Sequence, residues 1–255
     1  MGIAGTGWVL LDRQLRIAGR WAVADHAVAL ARLAALGRAD GAAEGDFAPI
    51  LFLPRVFEPD FCRDLIDHFE KRASRDSGFM RDVDGKTVEV IDHTHKRRSD
   101  VMIEDTRLIA DIHHRIARRL LPAIARAFQY RANRMERHLV ARYDAESGGH
   151  FRPHRDNTTR GTAHRRFAVT INLNAGDYDG GDLRFPEFGM RTYRAATGGA
   201  VIFSCSLLHE AMPVVRGNRY AFLPFLYDDD AAELRAANNS FLGENVAPYR
   251  NASTN

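Results

Sequence analysis

The chain has 255 residues, enough for one large domain or one domain with an appendage. Apolar residues make up 45% and charged residues 27%, near globular averages, which excludes a disordered chain or a long coiled coil. Net charge is only +3, from 36 basic and 33 acidic residues, so the chain as a whole is no polycation built for nucleic acid.

In chain order, residues 7–21 predict two short strands about a polar turn at Asp12–Gln14. Asp12, Arg13, Arg16 and Arg20 interrupt the apolar residues there too often for a signal peptide. No apolar run reaches the roughly 18 residues of a membrane span, so no membrane association and a cytoplasmic location are expected. A helix over about 25–36 follows, then a small-residue linker at Gly41–Gly45. Pro49–Leu53 reads as a strand, and Glu58-Pro59-Asp60 starts a helix with Phe61, Leu65 and Phe69 on one face. Residues 76–103 are polar and Gly-punctuated, which predicts a long irregular lid or binding loop. Asp105 is placed to cap a helix over 106–128, whose stripe runs Leu108, Ile109, Ile112, Ile116, Leu120, Ile124; Pro122 should kink or split it.

From residue 134 the texture changes to short strands: Met135–Tyr143, Arg166–Asn174, Gly181–Phe185, Arg191–Arg194, Ala200–Ser204, His209–Val215 and Arg219–Tyr227. A closing helix over 229–237 and a loose tail end the chain. Helices followed by many short antiparallel-type strands predict an α+β fold, a double-stranded β-helix (jelly roll) braced by N-terminal helices. The expected division is an extension over 1–45, a main domain over 46–240 and a tail over 241–255. Cys62 and Cys205 are too few for a disulfide framework and read as core residues. The basic cluster Lys96-Arg97-Arg98 reads as a solvated face, so nucleic acid is not the expected partner.

The chemistry concentrates in His154-Arg155-Asp156. On an extended segment, residues i and i+2 share a face, so imidazole and carboxylate converge on one ion. His209, 53 residues beyond Asp156, is the candidate third ligand. Two His and one carboxylate leave positions open on an octahedral iron, as non-haem oxygenases require; zinc accepts the same donors. Arg219 follows His209 by 10 positions, and an antiparallel pairing of the two strands would return its guanidinium toward the metal. A permanently charged fork set among Ala221, Phe222 and Leu223 needs a carboxylate, which a metal-chelating dicarboxylate would supply. On the strand from Arg166 to Asn174, Thr170 and Asn172 face away from Phe167, Val169, Ile171 and Leu173, toward the barrel interior.

Tyr143, Gly148-Gly149-His150-Phe151, His154-Arg155-Asp156, Gly180-Gly181-Asp182-Leu183-Arg184-Phe185 and the run from His209 to Tyr220 together resemble the prolyl 4-hydroxylase-like branch of 2-oxoglutarate/iron(II) dioxygenases. The resemblance spans about 134–228, with weaker similarity back to about 50. It implies Fe(II) on His154, Asp156 and His209, the 2-oxoglutarate C5 carboxylate on Arg219, assistance from Tyr143, and ascorbate as reductant. Many relatives carry Lys where Arg219 stands. The implied reaction couples oxidative decarboxylation of 2-oxoglutarate, with O₂, to hydroxylation of a prolyl or other amino-acid residue or a small metabolite. Thr170 and Asn172 are candidate contacts of the cosubstrate. A competing reading is a non-catalytic jelly-roll binding module or a partner of a redoxin protein; a homo-oligomer is compatible with either. The stretch Val9–Ile17 resembles a late hairpin of a peroxiredoxin-like domain, as a vestige or as part of a longer fusion, without the thiol-bearing portion. His150 and His164 are expected to be non-ligands, His93 and His95 solvated loop residues, and His113 and His114 structural.

Overall fold

The computed structural model describes residues 6–11, 17–42 and 47–249. The chain divides into two compact units, Met1–Ala48 with Phe185–Arg191 and Pro49–Arg184 with Thr192–Asn255. In the first, β1 (Gly7–Leu11) and β2 (Ile17–Ala22) pair antiparallel with Trp8 opposite Trp21. A 3₁₀ turn at Val23–Asp25 leads into α1 (His26–Ala42), an Ala-rich helix that runs past its expected end near residue 36. The expected turn at Asp12–Gln14 and most of the Gly41–Gly45 linker lie outside the described residues.

The second unit opens with β3 (Leu51–Leu53) and α2 (Pro59–Glu70), whose Pro59 sits in the first turn, where its missing N–H has no partner to lose. Segment 76–103 departs from expectation: it carries β4 (Arg75–Asp76), β5 (Phe79–Val83), β6 (Lys86–Val90), β7 (Lys96–Arg97) and β8 (Ser99–Met102). The reason is Asp84-Gly85, both left-handed (φ 50° and 78°), the two-residue turn that matches strand twist and closes the β5–β6 hairpin. Asp105 caps α3 (Thr106–Arg115) by accepting from the N–H groups of Arg107 and Leu108 at 2.9 and 3.0 Å. Residues 106–128 stay helical, and the interruption expected at Pro122 takes the form of a π turn just ahead of it. A π turn at Ile116–Leu120, with Leu121 N–H on Ile116 O, precedes α4 (Leu121–Phe128).

The strands that follow are β9 (Arg134–Glu136), β10 (Leu139–Asp144), β11 (His150–His154), β12 (Phe167–Asn172), β13 (Asp179–Gly180), β14 (Leu183–Arg184), β15 (Thr192–Tyr193) and β16 (Ala200–Ser204). After them come β17 (His209–Ala211), β18 (Val214–Arg216), β19 (Asn218–Phe222), β20 (Phe225–Tyr227) and the helix α5 (Asp229–Ala237). The larger sheet runs β3-β16-β12-β19-β10-β8-β4, with β20 joining β12 to β9; the smaller runs β15-β14-β17-β11-β7. Every pairing between these strands is antiparallel, and one cavity is lined from both sheets. This is the expected jelly roll. Ile112, Ile116, Leu120 and Ile124 bury their stripe in one core with Phe57, Phe61, Val169, Ile171 and Phe222, so the helices brace the larger sheet's outer face.

Several expected strands are broken. Met135–Tyr143 divides at Arg137, whose φ is 69°. His209–Val215 divides between β17 in the smaller sheet and β18, which pairs with β13; Arg219–Tyr227 divides at Pro224, which has no N–H for the ladder. The tail is not loose over its described part. Gly243 N donates to Thr87 O at 2.8 Å and Asn245 Nδ2 to Glu89 O at 2.9 Å, clipping the tail to β6.

Candidate metal centre

Strand register brings the two histidines together. β11 and β17 pair with His154 opposite His209, and their ring centroids lie 4.3 Å apart. Asp156 stands in a turn just past the end of β11 rather than on an extended strand, anchored by its N–H to Cys205 O at 3.0 Å. Its carboxylate nonetheless meets both rings, with Oδ1 3.5 Å from His154 Nε2 and Oδ2 3.3 Å from His209 Nε2. One donor atom from each residue lies within 4.8 Å of the others, a spacing that one ion can span. His154 Nδ1 faces Arg152 O at 2.8 Å and His209 Nδ1 faces Leu207 O at 3.0 Å. A carbonyl can only accept, so each Nδ1 carries the proton and each Nε2 keeps its lone pair for a metal. Phe151 stacks on His154 at 3.5 Å and Phe203 packs against His209 at 4.6 Å, walling the rings from water. Burial, then the proximity of His154, pushes His209 down to about 4. Burial alone would raise Asp156, but His209, His154 and Arg165 hold it well below the usual carboxylate range. Asp156 is therefore ionised and His209 neutral, the forms in which each binds a divalent cation.

Arg219 reaches the site by a different route from the one its spacing suggests. The hairpin expected between its strand and that of His209 does not form. β19 crosses to the larger sheet and lies between β10 and β12, with Tyr143 directly opposite Arg219. The guanidinium lies over the Tyr143 ring at 5.0 Å. Gly181 clears its path: a Cβ there would stand 3.1 Å from Arg219 Cδ and 2.8 Å from Val214. Arg219 is only 2% exposed, and its Nε and Nη1 have no hydrogen-bond partner. An orphaned buried cation is costly, and a dicarboxylate held at its other end on a metal would relieve it.

The cavity between these groups is lined by Tyr143, Thr170, Arg219 and all three metal-donor residues. Asn172 lies one step deeper, outside that lining, and donates to Ala195 O at 2.7 Å. His150 is held by Gly148 O and Thr94 O, and His164 by Glu136, away from the donor set as expected. His93 is exposed, whereas His95 is half-buried and lines an outer cleft of about 660 Å³ that opens beside His154 and Asp156. Phe79, Arg81 and Lys96 line it too, so the region expected to be a binding loop does border the site, as ordered strands.

The basic cluster departs from its reading as a solvated face. Lys96 and Arg98 are 3% and 6% exposed, and only Arg97 faces solvent. Strand alternation across β7 was the signal that could have found this. Sequence reasoning also missed Arg137, Glu136 and Arg165; nothing in the local pattern marks an interior charge before its partners are known.

Residues 138–227 match the family model described as the 2OG-Fe(II) oxygenase superfamily. A PKHD-type hydroxylase of Maricaulis maris is 35% identical over 94 residues, 36% of this chain and 42% of that protein. A PKHD-type hydroxylase of Nitrosomonas europaea is 34% identical over 93 residues, 33% of this chain and 40% of that protein. The chain thus spans less than half the length of these relatives. Among solved structures, a Pseudomonas putida prolyl-4-hydroxylase superposes with TM-score 0.55 at 19% identity, covering 70% of this chain and 92% of that one. A Trichoplax adhaerens prolyl hydroxylase, solved with a hypoxia inducible factor peptide, gives TM-score 0.57 at 17% identity over 73% and 86%. Residues 138–227 are thus similar to the 2OG-Fe(II) oxygenase superfamily, on a fold shared with these prolyl hydroxylases. Within that class, the matched stretch is similar to PKHD-type hydroxylases, and the family implies Fe(II) and 2-oxoglutarate.

Proposed function

We propose that the protein is a dioxygenase that couples oxidative decarboxylation of 2-oxoglutarate to hydroxylation of an amino-acid residue or small metabolite. The observation that carries this reading is the buried side chain of Arg219, whose Nε and Nη1 have no hydrogen-bond partner, across a cavity from a His-Asp-His set. His154, Asp156 and His209 would hold the iron, with Nδ1–carbonyl hydrogen bonds fixing the histidine tautomers. Arg219 would orient the cosubstrate through its distal carboxylate, with Tyr143 beneath the guanidinium and Thr170 beside it. When bound, iron and cosubstrate activate O₂, one oxygen entering the substrate and the other succinate as CO₂ leaves. Phe151 and Phe203 would exclude water, and the outer cleft would admit substrate on the side of His154 and Asp156. A non-catalytic binding module has no need of an intact donor set facing an unsatisfied buried arginine.

Anaerobic addition of Fe(II) and 2-oxoglutarate is expected to produce a weak visible charge-transfer band, absent in His154→Ala. In air the wild type should release succinate and the variant should not, with both proteins folded by circular dichroism. No 2-oxoglutarate-dependent band in the wild type would falsify the proposal.

A further inference from the structure

Arg137 stands where the metal-side cavity meets the outer cleft and lines both. It separates β9 from β10 in a left-handed conformation, φ 69°, that residues with side chains adopt infrequently. Its side chain is 25% exposed, lies over the Phe225 ring at 5.3 Å, and among the described residues has one ion pair, a long 3.5 Å contact to Asp100 Oδ2.

That carboxylate is already engaged. Arg98 takes both Asp100 oxygens at 2.7 Å, and Ser77 Oγ donates to Oδ2 at 2.6 Å. Lys96 lies behind, its Nζ donating to Ser77 Oγ at 2.8 Å and to Gly78 O. Two guanidiniums, Arg98 and Arg137, therefore share Asp100, with Lys96 behind them, where burial and Arg98 push its amine well below the ordinary lysine value. Glu136, the next acid along the chain, is committed to Arg165, His164 and Arg235. Arg219 is reserved for the cosubstrate on the reading above. A surplus of positive charge in a partly dry cleft is unfavourable until an anion joins it.

We infer that Arg137 determines specificity by receiving a carboxylate of the primary substrate, which makes that substrate an organic acid rather than a neutral molecule. The acid seats on the cleft side of the guanidinium, with Phe79, Met80 and Phe151 lining the same cleft for its apolar portion. This rests on the oxygenase reading and narrows it.

The test uses benzoate as probe and benzamide as its uncharged match, titrated anaerobically into the Fe(II)-loaded protein saturated with 2-oxoglutarate. Saturation fills Arg219, so the probe must find another cation. Benzoate should bind one site, benzamide at least tenfold more weakly. Arg137→Gln should weaken benzoate at least tenfold and Arg137→Lys by less. No benzoate binding, equal binding of acid and amide, or unchanged binding in Arg137→Gln would each overturn the inference, the last by assigning the anion to Arg75 or Arg81. If Arg137→Gln fails to fold, the acid–amide comparison in the wild type and the Arg137→Lys titration decide. The charge-transfer band, recorded before benzoate is added, reports separately on the oxygenase reading.

Discussion

Arg219 illustrates how burial turns a common residue into a site. In water a guanidinium is satisfied by solvent; at 2% exposure, with two nitrogens unpaired, its burial is costly until an anion joins it. Hydrogen bonds to a charged partner contribute about 1.5–3 kcal/mol. Arg219→Gln should therefore raise the dissociation constant of 2-oxoglutarate by roughly 10- to 100-fold, read from the charge-transfer band, while iron binding by the His-Asp-His set persists. Arg219→Lys keeps the charge but loses the planar fork, so its effect should be smaller. An unchanged dissociation constant in the glutamine variant would remove Arg219 from the cosubstrate site.

At the scale of one element, β12 divides its labour between two faces. Phe167, Val169 and Ile171 belong to the core beneath the helices, and Thr170 lines the cavity on the opposite face. Two adjacent substitutions should consequently have different consequences. Ile171→Ala removes a fully buried side chain and should cost about 2–5 kcal/mol in denaturant unfolding, with little change in 2-oxoglutarate affinity. Thr170→Val keeps the volume and removes a hydroxyl from the cavity; it should weaken 2-oxoglutarate several-fold while unfolding moves little. Equal effects of the two on affinity would contradict this division. The alternation was legible in the sequence because period 2 is a local property of any strand. The break at Arg137 and the hairpin within 76–103 were harder to see. The first has no glycine to mark it, and the second has its signal, Asp84-Gly85, inside a polar stretch.

The larger unit is tied together by charges that come from distant parts of the chain. Glu136 of β9 takes Arg165 at 2.6 Å, His164 at 3.2 Å and Arg235 of α5, and Arg165 Nη1 also reaches Asp156 O at 3.4 Å. Burial alone would raise the Glu136 carboxyl, but Arg165, His164 and Arg235 hold it well below its ordinary 4.5. Its folded-state value is depressed, so the stability it contributes is complete above about 4.5 and is lost as pH falls further. Glu136→Gln should cost about 3–5 kcal/mol near neutrality, because it leaves buried cations without their acid. The melting temperature measured from pH 7 down to pH 3 should fall less steeply in the variant than in the wild type. Parallel curves would show that Glu136 contributes nothing to the acid limb.

The sequence by itself determined the jelly-roll class, the helix stripe and its interruption near Pro122, and the candidate ligands His154, Asp156 and His209. Each of these is written in a local period, a backbone constraint or a short ordered motif. Tertiary structure alone decided that Arg219 approaches from the sheet opposite His209 and that Arg137 is left with an already occupied acid. Those outcomes depend on which strands pair and which charges meet from distant parts of the chain, and no local pattern encodes either.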